Sequence, residues 1–143
     1  MSTIVKDAEV LAELTCKLAK FCKRQEDALA AKFRLAPSEF RFLKLYASIG
    51  EVLTIKDFRK VLDLTPGRMT HIISSLERKK FLKRKIQKED KRFVAMLLLP
   101  KVAPLMDTLK KQNGILYKAL LEKLDANTRD IMIKALTQVV GRI

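Results

Sequence analysis

Two cysteines, one histidine and four glycines are few for 143 residues, and each shortage removes a class of function. Cys16 and Cys22 alone cannot build a disulfide framework. Six positions apart, they stand about 9 Å apart along a helix and on different faces, so they cannot bridge each other. With His71 as the single histidine, no closed zinc site can be completed, and no metal is expected. Four scattered glycines offer no loop to cradle a phosphate. Spacing unites no His/Cys/Asp cluster and no carboxylate pair in an apolar setting, so neither catalysis nor a cofactor is expected. The longest apolar run, Val94 to Leu99, falls far short of the roughly 20 residues that span a bilayer. The opening residues, Met1 to Glu9, interleave charges where a secretory signal would be continuously apolar. The expected location is therefore cytoplasmic, with no membrane partner.

What the chain has in abundance is positive charge. Thirty Lys and Arg stand against sixteen Asp and Glu, a formal +14, which predicts attraction to a polyanion. Apolar residues make up 48%, enough for a core, and the length suits one domain over residues 1–143 rather than two.

The apolar pattern is helical over most of the chain. From about Val5 to Phe33, Ala8, Leu11, Leu14 or Thr15, Leu18, Phe21 or Cys22, and Leu29 recur at helical spacing with no Gly or Pro between them. Pro37 opens a second helix, Ser38 to Ile49, with Phe40, Leu43 and Tyr46 or Ala47 on one face, and Gly50 is expected to end it in a left-handed cap. Thr54 starts a third helix through a capping box with Asp57, and Phe58, Val61 and Leu62 form its expected inner face. After the break at Asp63-Leu64, Thr65-Pro66 is the sharpest helix start in the sequence. This fourth helix, to about Lys79, places Met69, Ile72, Ile73 and Leu76 inward. Two half-exposed strands follow, Leu82 to Gln87 and Arg92 to Leu98, joined by the charged tip Lys88-Glu-Asp-Lys91. Beyond Pro100, Val102 to Leu124 mark a fifth helix, with Asn113-Gly114 as a weak point, and Ile131 to Val140 a sixth. The expected fold is mainly α with a small β-hairpin: helix, helix, helix-turn-helix, hairpin, helix, helix.

Residues 54–98 hold the chemistry. A short helix, a tight break and a capped second helix have helix-turn-helix spacing, and the hairpin after them makes a wing. The outward face of the fourth helix carries Arg68, Thr70, His71, Ser74, Ser75 and Arg78, small polar groups able to reach base edges in a major groove. Between Arg78 and Arg92 nine basic residues face Glu89 and Asp90, a net +7 that is half of the chain's +14. Thr65, Arg84, Lys85, Lys88 and Lys91 complete a surface suited to duplex phosphates.

The run Thr65-Pro-Gly-Arg-Met-Thr-His-Ile-Ile-Ser-Ser-Leu-Glu-Arg-Lys-Lys-Phe-Leu-Lys-Arg84, followed by Asp90-Lys-Arg92, resembles the MarR (multiple antibiotic resistance regulator) family. That family runs from a recognition helix through a Leu-Glu-x-Lys-Gly-Leu-x-x-Arg segment to an Asp-x-Arg wing. The resemblance implies a winged helix-turn-helix over about residues 35–99 and a homodimer built from helices at about 4–33 and 101–142. It implies a transcriptional regulator, in the main a repressor, on a pseudo-palindromic site of double-stranded DNA. Recognition-helix contacts would fall on Arg68, Thr70, His71, Ser74 and Ser75. Arg92 would enter the minor groove, Asp90 would brace it, and Arg84 would support the wing base. Four departures stand out. Lys80 holds the usual Gly position, so its cap is expected to be weaker or differently built. Arg59 replaces a small Ala, Ala36 a capping Thr, and Leu99-Pro100-Lys101 a Leu-Thr junction.

Relatives of this kind often answer to aromatic ligands or oxidants, so the resemblance also implies a small-molecule effector. Phe21, Phe33, Phe40, Phe42 and Tyr46 either line its pocket or form plain core. Cys16 is the redox candidate, against the alternative of a buried, inert thiol; oxidant-sensing relatives supply tyrosines nearby on the same helix, whereas this chain has only Tyr46 and Tyr117. His71 is either a base or phosphate contact or a plain surface residue. A second function class stays open beside the regulator: a sequence-neutral, nucleoid-type architectural protein. A dimer of +14 chains would hold any duplex, and Ser and Thr read little of its sequence.

Overall fold

A computed structural model describes residues 3–85, 91–93 and 95–143, apart from the side chain of Glu51. The expected order is present: α1 (Thr3–Lys32), α2 (Pro37–Ile49), a 3₁₀ turn (Gly50–Val52), α3 (Ile55–Leu62), α4 (Pro66–Arg78), β1 (Leu82–Arg84), β2 (Met96–Leu98), α5 (Val102–Leu121) and α6 (Ala126–Val140). The chain divides into two compact units, Met1–Met106 and Asp107–Ile143. The first holds the helix-turn-helix and the hairpin.

The core of the first unit follows the apolar pattern of the sequence. Phe40, Phe42, Leu43 and Tyr46 of α2 are buried, with Phe58 of α3 and Met69, Ile72, Ile73 and Leu76 of α4. Phe42, Tyr46 and Phe58 form an aromatic cluster with ring centroids 5.3 to 6.2 Å apart. The Tyr46 hydroxyl donates to the Met96 carbonyl and accepts from the Met96 N–H, both at 3.0 Å. One buried side chain thereby satisfies both backbone groups of a β2 residue. Phe40, Phe42 and Tyr46 are thus core, while Phe21 and Phe33 are half-buried.

Caps decide where the helices stop, and some differ from expectation. Gly50 is right-handed helical (φ −57°), not a left-handed cap. Its lack of a side chain matters for another reason, since a Cβ there would collide with the Tyr46 ring. The left-handed positions belong instead to Arg34 (φ 58°), Asp63 (φ 51°) and Lys80 (φ 64°), just past the ends of α1, α3 and α4. Behind each, a returning N–H closes the helix end: Leu35 to Ala30 O, Leu64 to Arg59 O, Phe81 to Leu76 O. Lys80 therefore takes the conformation that Gly takes more easily, and the cap keeps its form at a cost of about 1 kcal/mol. Val61 is a second correction: at 61% exposure it is not part of α3's inner face. Eight residues make barely two turns, so Phe58 alone is fully buried.

The strands are shorter than the pattern suggested. Leu82, Lys83 and Arg84 pair antiparallel with Leu98, Leu97 and Met96. Lys85 N–H extends the ladder to Ala95 O at 3.0 Å. Ile86, Gln87, the tip residues Lys88 to Asp90, and Val94 lie outside the described residues. Asn113-Gly114 does not interrupt α5, because neither residue removes a backbone donor and both sit within a continuous helix.

Ala36 leaves α2 without a side-chain cap, and Glu39 fills the gap by accepting the Ala36 N–H at 2.7 Å. Glu39 is buried, and its carboxylate also takes Lys79 Nζ at 2.7 Å. Lys79 Nζ further donates to Arg34 O, and Lys101 Nζ donates to Lys79 O. Burial pushes the Glu39 pKa up, but hydrogen bonds from Lys79, Ser75 and Ala36, with the Lys79 charge, hold it below the usual range.

Two outcomes follow from these caps. Lys80→Gly should raise unfolding free energy by about 1 kcal/mol in urea denaturation, since it relieves a left-handed non-glycine residue. Because the folded Glu39 pKa lies below its unfolded value, its contribution is present above the ordinary glutamate range, about pH 4.3. That contribution is lost as pH falls through the folded value. Glu39→Ala should lower stability by about 2 kcal/mol at pH 7 and much less at pH 3, compared by denaturation at both pH values.

Candidate nucleic-acid interface

The face is built on α4, and its start is fixed locally. Thr65 Oγ1 accepts the Arg68 N–H at 3.1 Å, and Pro66 takes the first helical position without losing a needed donor. Burial of Met69, Ile72, Ile73 and Leu76 then turns the opposite side outward. Arg68, Thr70, His71 and Arg78 are exposed there, whereas Ser74 and Ser75 are half-buried.

These side chains are not equally available to a ligand. Thr70 donates its hydroxyl proton to Pro66 O at 3.0 Å, which leaves its oxygen as an acceptor for a base amine. Arg68 rests against Ser38 at the start of α2, at 3.5 Å, a contact loose enough to surrender to a guanine edge. Ser75 is half-buried, and its hydroxyl helps hold the Glu39 pKa down. Ser74 accepts from Arg84 Nη2 at 2.9 Å. Arg84 also pairs through Nε with Glu77 at 3.7 Å, and its backbone N–H reaches the same carboxylate at 3.4 Å. Arg84 thereby ties the root of β1 to α4. The tie fixes where the hairpin leaves the recognition helix.

The other end of the hairpin is stitched to α3. Ile55 N–H donates to Arg92 O at 2.6 Å, and Phe93 forms an isolated bridge with Thr54. The Arg92 guanidinium lies 5.8 Å from the Phe93 ring centroid and is exposed, as are Lys85 and Lys91. A cation held on an aromatic face loses less freedom when it inserts between phosphates. Lys88 and Asp90 lie outside the described residues, and with them the expected Asp90–Arg92 brace.

Lys56 and Lys60 of α3 are exposed, one turn apart on a helix that buries Phe58. Arg59, read as a packing departure, instead reaches across the helix-turn-helix break, its Nε donating to Leu64 O at 3.3 Å. Cys16 also differs from the buried-thiol reading: it is exposed on α1, while Cys22 is half-buried with Sγ 3.6 Å from Glu26 Oε1. Among the described residues no helix is long and apolar enough to cross a membrane.

No protein-family model matches the chain, and no curated protein matches it. Solved structures do. A MarR transcriptional regulator from Methanosarcina mazei superposes with a TM-score of 0.74 at 16% identity, covering 94% of this chain and 96% of its own. A mutant of MepR from a multidrug-resistant Staphylococcus aureus clinical isolate gives 0.73 at 20% identity, over 92% and 96%. The S. aureus MepR–DNA complex gives 0.64 at 20% identity, over 92% and 98%. The fold of this chain is the MarR-type winged helix-turn-helix.

Proposed function

We propose that this chain is a sequence-specific, double-stranded-DNA-binding transcriptional regulator of the MarR family. The observation that carries the reading is the coincidence, on one lobe, of a capped helix with a polar outer face and a basic hairpin anchored at both ends. Arg84 fastens that hairpin to α4, and Ile55 fastens it to α3. In this reading Arg68, Thr70 and His71 meet base edges, while Arg84, Lys85, Lys91 and Arg92 meet phosphates and the minor groove. The likeness to a structure solved with DNA supports duplex DNA as the partner.

The acting species is a homodimer, with residues 1–143 forming one domain. Its support is apolar surface left bare on single helices. In α1, Val10, Leu11, Leu14 and Leu18 are each more than half exposed; in α6, Ile131, Ile133 and Val140 are too. Surfaces of that kind need a partner, and a second copy supplies the same faces by symmetry. The chain would then work in the cytoplasm on the nucleoid as a repressor that occludes a promoter. A small-molecule effector, or oxidation at the exposed Cys16, would relieve it. No catalytic role is proposed.

The competing reading is a sequence-neutral architectural protein, favoured by the +14 charge and by the half-burial of Ser74 and Ser75. Selection from a random duplex library, then a salt series on the winner and a scrambled control, separates the two. The expected result is a palindrome with half-sites about one helical turn apart, preferred by several kcal/mol. Parallel loss on both duplexes with no enriched motif would establish the architectural protein instead. Arg68→Ala should cost about 1–3 kcal/mol at one base pair per half-site and little on the scrambled duplex, measured by competition binding. Truncation after Asn127 should yield monomers in analytical ultracentrifugation that bind a full site poorly.

A further inference from the structure

Two departures from the MarR pattern meet at the end of α4. Lys80 makes its left-handed turn just past the helix, and Leu99-Pro100-Lys101 passes beside that turn, with Leu99 N–H donating to Phe81 O at 2.9 Å. Lys101 Nζ then donates to Lys79 O at 3.1 Å and lies 5.3 Å from the Phe81 ring centroid. The carbonyl it takes belongs to the set that a helix end leaves without an intrahelical partner. A cation at that place also meets the negative end of the helix dipole.

The residue that supplies this carbonyl is bound through its side chain as well. Lys79 Nζ donates to Arg34 O, behind α1, at 3.0 Å and to Glu39 Oε1, in the first turn of α2, at 2.7 Å. Glu39 is 4% exposed, so burial as well as charge fixes its end of the pair. One residue at the end of α4 is thereby clamped to the end of α1, the start of α2 and the turn that opens α5. Along its length α4 packs chiefly on α2 and β1. The two lysines give the recognition helix a direct link to α1, whose bare apolar face the homodimer reading uses.

The length of α4 magnifies what happens at this end. Its thirteen residues span about 20 Å. A swing of about 10° about the C-terminal end moves the other end by about 3.4 Å, the rise of one base pair. In a dimer on two half-sites, that displacement separates the right operator spacing from the next one.

We infer that Lys79 and Lys101 form a clasp that fixes the pitch of α4 against α1 and so sets how strictly the dimer reads the spacing between its half-sites. The inference rests on the DNA-binding and homodimer readings. It adds to them two positioning residues that act through α4 rather than on a base.

The test is Lys101→Met in the full chain, which keeps a long side chain beside Phe81 and removes the donor to Lys79 O. Thermal unfolding establishes that the variant folds. Affinity is measured across a salt series on the selected palindrome, on versions with one base pair added or removed between half-sites, and on a duplex with a single half-site. Loss of one charge-assisted bond per lobe should weaken binding at the best spacing by about tenfold. Discrimination against the neighbouring spacings should narrow by a similar factor, while affinity for the single half-site stays unchanged. Unchanged spacing discrimination overturns the inference and leaves the DNA-binding reading intact. Lower thermal stability would then make the clasp a fold contact only, and a shallower salt slope on every duplex would make Lys101 a phosphate contact. A single half-site weakened as much as the palindrome also overturns it, because the lysine would then act within one lobe. If Lys101→Met does not fold, Lys79→Met/Glu39→Gln opens the clasp from its other side without stranding a buried charge, and is read in the same way. A wild type that enriches no palindrome fails the DNA-binding reading itself and takes this inference with it.

Discussion

The lobe depends on a single buried contact set, the Phe42–Tyr46–Phe58 cluster. It joins α2 to α3 by ring packing and α2 to the hairpin through the Tyr46 hydroxyl, which occupies both backbone groups of Met96. Aromatic pairs add to their area burial when ring centroids lie within this range. A strand of three residues cannot hold itself against water, so β2 needs the tyrosine as much as it needs β1. The constraint reaches the next turn as well. Residue 50 must lack a side chain because the Tyr46 ring already fills that space.

Around that centre the molecule is fastened by charged side chains bonded to backbone. Lys79 joins Arg34 O to the Glu39 carboxylate, Lys101 takes Lys79 O, Arg59 takes Leu64 O, and Arg84 spans Ser74 and Glu77. Charge-assisted bonds of this sort orient segments strongly. They also remove cations from the pool facing a ligand, so the charge surplus overstates what a duplex would meet. Lys79 is structural by this account, while Arg78 beside it is exposed. The same applies to the hydroxyls: Ser74 accepts from Arg84 and Ser75 is half-buried, which leaves Arg68, Thr70 and His71 as the exposed polar groups of the outer face.

Left-handed residues are the cost of this chain's composition. With four glycines and none at positive φ, the turns after α1, α3 and α4 fall to Arg34, Asp63 and Lys80. Two of the three are basic, and such side chains near a helix C-terminus interact favourably with its dipole. That gain offsets part of the backbone strain. It also explains how a lysine can stand in a glycine position without changing the course of the chain.

Element order, the α4 start and the basic hairpin were legible in the residues themselves. Thr65-Pro66, the Thr54–Asp57 box and the spacing of Met69, Ile72, Ile73 and Leu76 are local signals, and local sterics and hydrogen bonds decide them. What sequence could not supply was any property set by distant partners. The right-handed Gly50 depends on Tyr46, the Glu39 ionisation depends on a lysine forty positions on, and the exposure of Val61 depends on where two short turns of α3 end. The grouping of α3's cations belongs with these, since Lys56, Arg59 and Lys60 share a groove with Lys91 and Arg92 only once the hairpin folds back on Ile55. Periodicity is a property of neighbours along the chain and determined the helices. Which polar groups are already used, and which cations share a groove, is a property of neighbours in space, and tertiary structure alone decided it.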